Sequence, residues 1–177
     1  LIIVSPALGS VYEKSRLYDA AFATEYRGAT EIAFPAGIRR VLLVTCSVRG
    51  YVTMQKLAKK LENISGAEII TKVKCEALPE VSMRETVKAC VDTYFGQVDA
   101  IVFVTASGIA VRSVAEHLAH KSEDPAIVCM DECGKHVISL VSGHAGGANA
   151  LTQMLADVMW ATPVITTATD VEGRFSI

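Results

Sequence analysis

Asp99-Ala100-Ile101-Val102-Phe103-Val104-Thr105, followed by Ala106-Ser107-Gly108-Ile109-Ala110-Val111-Arg112, decides the fold. The first run is apolar at consecutive rather than alternate positions, which predicts a strand covered on both faces. Ser107-Gly108 then opens a predicted helix from Ile109 to Leu118. The same alternation recurs on either side. Upstream, Val41-Leu42-Leu43-Val44-Thr45 is a second apolar strand. It leads to a helix over Val52–Leu61, with Val52, Leu57 and Leu61 on one side and Lys56, Lys59 and Lys60 turned outward. Ala67–Thr71 reads as a short strand and Thr86–Phe95 as a helix with Val87, Cys90, Val91 and Tyr94 on one stripe.

Downstream, predicted strands at Ala126–Met130 and His136–Val141 flank Asp131-Glu132-Cys133-Gly134, whose residue types suit a hairpin turn. A glycine-rich turn over Gly143–Gly147 enters a helix from Ala148 to Met159, and Pro163–Thr166 is the last strand. Strands alternating with helices imply an α/β fold: three layers, a mostly parallel, doubly wound sheet with right-handed crossovers, and a late β-hairpin.

Composition narrows the function classes. The 177 residues are 51% hydrophobic and 20% charged, with a net charge of -2, so no basic field points to nucleic acid. No apolar run approaches the roughly 20 residues of a membrane span. Leu1-Ile2-Ile3-Val4 is broken at once by Ser5-Pro6 and lacks a basic leader, so it reads as a strand rather than a secretory signal. Gly28–Gly37, with Pro35 inside it, reads as a connector, which puts a boundary between residues 1–37 and 38–177. The five cysteines are odd in number and scattered, which argues against a disulfide framework and for a reducing cytoplasm. Cys129 and Cys133 have three residues between them and no second close pair, so no structural metal site is expected.

The strongest local signal for chemistry is Ser142-Gly143-His144-Ala145-Gly146-Gly147-Ala148-Asn149, between a predicted strand and a predicted helix. Glycines let a backbone approach a ligand closely, and the first N–H groups of a helix are unpaired at its positive end. The plainer reading is a tight turn packed with small residues. The dinucleotide spacing Gly-x-Gly-x-x-Gly is absent. His144 is either a general base near neutral pH or a loop histidine that holds the turn. Gly108 and Arg112 form a second candidate, at the carboxyl end of a strand, where a guanidinium could clamp a carboxylate; the alternative is a surface arginine. Lys121, Asp124-Pro125 and Asp131-Glu132 are charged, and taken alone are solvated loop residues. Thr166-Thr167-Ala168-Thr169-Asp170 follows the last strand with hydroxyls and one carboxylate, which suit either substrate positioning or turn capping.

Together these motifs resemble the cobalt-precorrin-5A hydrolase family. The resemblance runs through Gly108-Ile109-Ala110-Val111-Arg112, Lys121, Asp124-Pro125-Ala126, Asp131-Glu132, Val137 to Asn149, and Pro163 to Asp170, and covers Arg39 to about Gly173. It implies opening of the δ-lactone of cobalt-precorrin-5A, release of a two-carbon unit as acetaldehyde, and formation of cobalt-precorrin-5B on the oxygen-independent route to cobalamin. It implies no cofactor of the protein's own, because the cobalt arrives with the substrate. It also implies a cobalt-corrinoid partner rich in carboxylates, and contacts with other enzymes of the pathway. Family members continue past Asp170 into a middle segment and a separate C-terminal domain. Residues 1–28, through Leu1-Ile2-Ile3-Val4, Lys14-Ser15-Arg16-Leu17-Tyr18-Asp19, Phe22 and Tyr26-Arg27, resemble instead the C-terminal tail of a cobalt-precorrin-4 methyltransferase, as in a fusion of consecutive enzymes; Ser5 stands where that family has Gly.

Three functional readings are open. In the first, His144 activates water for lactone hydrolysis, Asp131 or Asp170 orients it, and helix N–H groups after Gly146-Gly147 hold the oxyanion. The substrate is bound by Gly108, Arg112, Lys121, Ser142, Gly143, Gly146, Gly147, Asn149, Thr167 and Thr169. In the second, this domain grips the corrinoid while another domain supplies the chemistry. In the third, it holds consecutive enzymes together.

Overall fold

The computed structural model describes residues 32–64, 66–120 and 123–167. The chain divides into two units after Ile32, and the fold belongs to the second, Ala33–Ile177. The strand expected at Leu1–Val4 and the segment resembling a methyltransferase tail lie outside the described residues.

Among the described residues, strands and helices alternate in the expected order: β1 (Arg40–Thr45), α1 (Val48–Leu61), β2 (Glu68–Val73), α2 (Val87–Tyr94), β3 (Ala100–Val104), α3 (Ser107–Val114), β4 (Ala126–Met130), β5 (His136–Val141), α4 (Ala148–Met159) and β6 (Thr162–Val164). The strands build one sheet in the order β2-β1-β3-β4-β5-β6. All residues of β3 and β4 are buried, as unbroken apolar runs covered on both faces must be. Leu42, Val44, Ile101, Phe103, Ile127 and Cys129 form a core with Val87, Cys90 and Val91 of α2 and Ala110 and Val114 of α3. The pleat sends the alternate residues Val41, Leu43, Val102 and Val128 to the other face, where α1 and α4 touch each other. The layers are therefore helix, sheet, helix, as expected.

Two helices start earlier than hydrophobic periodicity alone predicts. For α1 the cause is a cap: Ser47 accepts a hydrogen bond from the Gly50 N–H, so the helix begins at Val48 rather than Val52. Helix α3 begins at Ser107 and stops at Val114, where the chain tightens into a turn with the His117 N–H on the Val114 carbonyl.

Strand direction decides where function can sit. Strands β2, β1, β3 and β4 are mutually parallel, so Thr45, Val73, Val104 and Met130 end at one rim of the sheet. The short hairpin after Met130 reverses the chain, because five residues cannot make a parallel crossover. Strand β5 thus pairs antiparallel with β4, placing Val137 beside Met130 and Val141 beside Ile127. Strand β6 then pairs parallel to β5, with Val137 beside Pro163. The carboxyl ends of β5 and β6 consequently lie at the opposite rim, where β1, β3 and β4 begin.

Candidate functional site

Strand β5, helix α4 and strand β6 make a βαβ unit of their own, reversed relative to the rest of the sheet. Its glycine-rich loop occupies the place that such units give to ligands: after the first strand, at the start of the helix. Gly147 is the N-cap of α4, in the left-handed region at φ 80°, and no side chain caps the helix. The loop itself satisfies part of the helix start. The Ala148 N–H donates to the Ser142 carbonyl over 3.2 Å, and the Asn149 N–H donates to the Gly143 carbonyl over 2.9 Å. The expectation that these first helix donors stand free for an oxyanion is therefore corrected, since both are spent on the loop's own carbonyls.

Close packing explains why small residues are needed. A Cβ on Gly146 would lie 2.5 Å from Ser142 Cβ and 3.0 Å from the Ser142 carbonyl oxygen, so only bare backbone fits there. Asn149 stitches the unit together from behind. Ser139 Oγ donates to Asn149 Oδ1 over 2.7 Å, and Asn149 Nδ2 donates to Thr167 Oγ1 over 3.0 Å. One buried amide thus fixes the end of β5, the loop, and the segment that follows β6. His144 is exposed in this loop, and its imidazole makes no hydrogen bond to any described residue. Ser142 is buried, in the left-handed region at φ 60°.

The structure therefore brings Ser142, Gly143, His144, Gly146, Gly147, Asn149 and Thr167 together. Lys121, Thr169 and Asp170 lie outside the described residues. Gly108, Arg112 and Asp131 are not part of this cluster. Gly108 and Arg112 sit on α3, which starts where β3 ends, at the far rim, and exposed Arg112 folds back to donate from Nη1 to the Gly108 carbonyl over 3.1 Å. Asp131 follows β4 at that same far rim. From there to Ser142 is the length of β5, about 20 Å at ~3.3 Å per residue. Asp131 cannot orient His144, and Arg112 cannot share a ligand cavity with it; the grouping of these residues in one site is corrected.

Asp131 has another occupation. Its Oδ2 accepts from the Lys135 N–H over 2.8 Å and the His136 N–H over 2.6 Å, while Oδ1 accepts from the Cys133 N–H over 2.8 Å. Burial pushes the carboxyl up, but these three backbone donors outweigh it and hold Asp131 below its ordinary value. The side chain is the keystone of the hairpin turn.

Two features lie beyond what the sequence reading singles out. Ser139 is a lone hydroxyl within the apolar strand Val137-Ile138-Ser139-Leu140-Val141, a visible signal, and it holds Asn149. At the far rim, Ser47 Oγ donates to Glu132 Oε1 over 2.7 Å and Thr53 Oγ1 donates to the Glu132 carbonyl over 2.7 Å, ties that depend on the packing of α1 against the hairpin. Among the described residues no group of three or more His, Cys, Asp and Glu side chains is placed to hold a metal ion. No helix among them is long and apolar enough to cross a membrane.

Residues 89–170, which contain the whole reversed unit, match the model of the family described as Cobalamin synthesis G N-terminal. That segment, a little under half of the chain, is similar to this family. The chain is 62% identical over 72 residues to a cobalt-precorrin-5A hydrolase of Salmonella typhimurium, a match covering 41% of this chain and 20% of the relative. It is 41% identical over 92 residues to a cobalt-precorrin-5A hydrolase of Priestia megaterium, covering 52% of this chain and 25% of the relative. The crystal structure of a cobalamin biosynthesis protein G homolog from Sulfolobus solfataricus superposes with a TM-score of 0.61 at 29% identity, covering 72% of this chain and 37% of that one. The matched regions thus span about a fifth to a quarter of the curated relatives' length. The fold is the α/β architecture that the alternating strands and helices imply.

Proposed function

We propose that this chain serves anaerobic cobalamin biosynthesis as part of a cobalt-precorrin-5A hydrolase, and that the loop of the reversed βαβ unit is where it meets the lactone. The observation that carries this reading is the loop itself: an imidazole exposed at the start of a helix, backed by a hydrogen-bonded asparagine, inside the segment that matches the family. In lactone hydrolysis a water attacks the carbonyl carbon, the carbonyl π electrons move to its oxygen, and collapse of that oxyanion breaks the bond to the ring oxygen. His144 takes the water's proton and returns it to the departing oxygen. The freed oxygen then becomes the aldehyde oxygen as the carbon–carbon bond joining the two-carbon unit to the macrocycle breaks, its electron pair passing into the macrocycle, which takes up the hydroxyl proton; acetaldehyde leaves and cobalt-precorrin-5B remains. Cobalt enters as part of the substrate, no cofactor of the protein's own is invoked, and the reaction is assigned to the cytoplasm. Asp170, three residues beyond Thr167, is the carboxylate retained as a partner for His144.

A graft tests this. Residues 89–170 are exchanged for the matching segment of the Salmonella typhimurium relative, and acetaldehyde release from cobalt-precorrin-5A is followed. The graft is expected to turn over, and His144→Ala within it to lose about 10²–10⁴-fold in kcat. A folded graft that releases no acetaldehyde, or one in which His144→Ala keeps full rate, overturns the reading.

A further inference from the structure

With Ala148 and Asn149 bonded back onto the loop, the two helix donors best placed for a developing oxyanion are already used. The unit nevertheless contains a hydroxyl without a partner among the described residues. Ser142 is 7% exposed, and its Oγ is buried with no hydrogen-bond partner there. A buried hydroxyl without an acceptor is costly, and native structures leave few of them. The side chain lies inside the loop at the start of α4, packed against Gly146, whose Cβ would fall 2.5 Å from Ser142 Cβ. The backbone deepens the puzzle. Ser142 holds φ 60°, where glycine is favoured, in a loop that already uses glycine at 143, 146 and 147. A residue kept in an unfavourable conformation with an unsatisfied donor points to a task for that donor.

We propose that Ser142 is an oxyanion donor: its Oγ–H receives the lactone carbonyl oxygen as that oxygen becomes negative. This rests on the reading of the loop as the lactone site, and adds a donor to a helix start whose first two N–H groups are spent. The hydroxyl keeps its proton throughout; it forms no covalent bond to substrate and passes nothing on. Its hydrogen bond strengthens as the carbonyl oxygen gains charge when water adds, and weakens again when the carbonyl re-forms and the ring oxygen leaves. His144, two residues along the same loop, handles the proton of the attacking water.

Thr152 Oγ1 is likewise buried without a partner among the described residues, but Thr152 is 0% exposed within α4 and serves as a control.

The test uses Ser142→Ala, Ser142→Gly and Thr152→Val in the full-length graft, with kcat and KM for acetaldehyde release measured beside thermal melts. Removing one preorganised oxyanion donor is expected to lower kcat by about 10²–10³-fold with little change in KM. Glycine at 142 relieves the positive φ, so Ser142→Gly should melt at or above the parent temperature while losing the same rate. A merely structural role would not produce that split. Thr152→Val should keep its turnover. Full kcat in both Ser142 variants, with the parent graft active, overturns the proposal and leaves the loop's function standing. An inactive parent graft removes both. A loss of kcat in Ser142→Ala alone, restored in Ser142→Gly, assigns the effect to backbone conformation and overturns the donor role.

Discussion

Ser47 and Glu132, 85 residues apart in sequence, share one 2.7 Å hydrogen bond in which the serine hydroxyl donates to the carboxylate. The same hydroxyl accepts the Gly50 N–H over 3.0 Å, so one oxygen both starts α1 and pins the β4–β5 hairpin to it. Ser47→Ala removes the cap and one partner of Glu132 together. The expected loss is about 1–2 kcal/mol, the upper half of the range for a helix cap, read as a lower urea midpoint with an unchanged slope.

Gly50→Ala should reverse the usual sign of that substitution. In a helix interior alanine ordinarily gains about 0.5–1 kcal/mol over glycine. Here the new Cβ would fall 2.1 Å from Thr45 Oγ1 and 2.7 Å from the Val104 carbonyl oxygen. Thr45 itself donates to Val104 O over 2.8 Å, so neither atom is free to retreat. Overpacking of this kind costs typically about 1–3 kcal/mol and occasionally more. A Gly50→Ala variant as stable as the parent in chemical denaturation would contradict the close approach of α1 to the ends of β1 and β3.

Asp131 predicts a pH dependence. Its carboxyl is held below its ordinary value, because three backbone N–H donors outweigh the opposing effect of burial. A depressed folded pKa means that the unfolded chain takes up the proton first as pH falls. The stabilisation is complete above the unfolded value near 3.9, and is lost as pH drops through the lower folded value. Asp131→Ala should therefore cost about 1–2 kcal/mol at neutral pH, the scale of hydrogen bonds to a partly exposed charged group, and the gap to the parent should narrow below about pH 4. Parallel pH-stability curves for the two proteins would show that the carboxylate is not what holds the turn.

Thiol chemistry should follow position in the fold. Cys133 is exposed on the hairpin, with Arg49 Nη1 3.7 Å from its sulfur. Burial pushes the thiols of Cys90 and Cys129 up to about 11, and Cys129 also donates to the Thr105 carbonyl. Alkylation at pH 8 followed by mass spectrometry should label Cys133 first, and Cys90 and Cys129 only with unfolding. Early labelling of Cys129 would mean that β4 opens without global unfolding.

The elements are legible in the sequence because their cores are strong local signals. The runs Val41–Val44 and Ala100–Val104 are apolar at every position, and α4 begins at the residue its glycine turn suggests. The grouping of the site is harder to read, and the reason lies in direction. Ser107-Gly108 and Ser142–Gly147 each follow a strand, and with all strands parallel both would end at one rim. The hairpin at Asp131–Gly134 is visible in the sequence, and its brevity already forces β5 to run backward; that step carries His144 to the rim opposite Arg112. Asp131 misleads for a related reason. A carboxylate just after a strand looks like chemistry, whereas its three donors, Cys133, Lys135 and His136, come from the turn it closes. The bonds of Asn149 to Ser139 and Thr167 depend on how β5 and β6 register, which no local pattern encodes.

The reversed unit also makes the two ends of the molecule energetically independent. Side chains that share no partner and stand well beyond about 10 Å apart perturb stability additively. Asp131 at one end and Asn149 at the other are separated by most of a strand, so a double substitution should lose the sum of the two single losses within about 0.5 kcal/mol. One end of this domain can therefore accumulate changes without retuning the other.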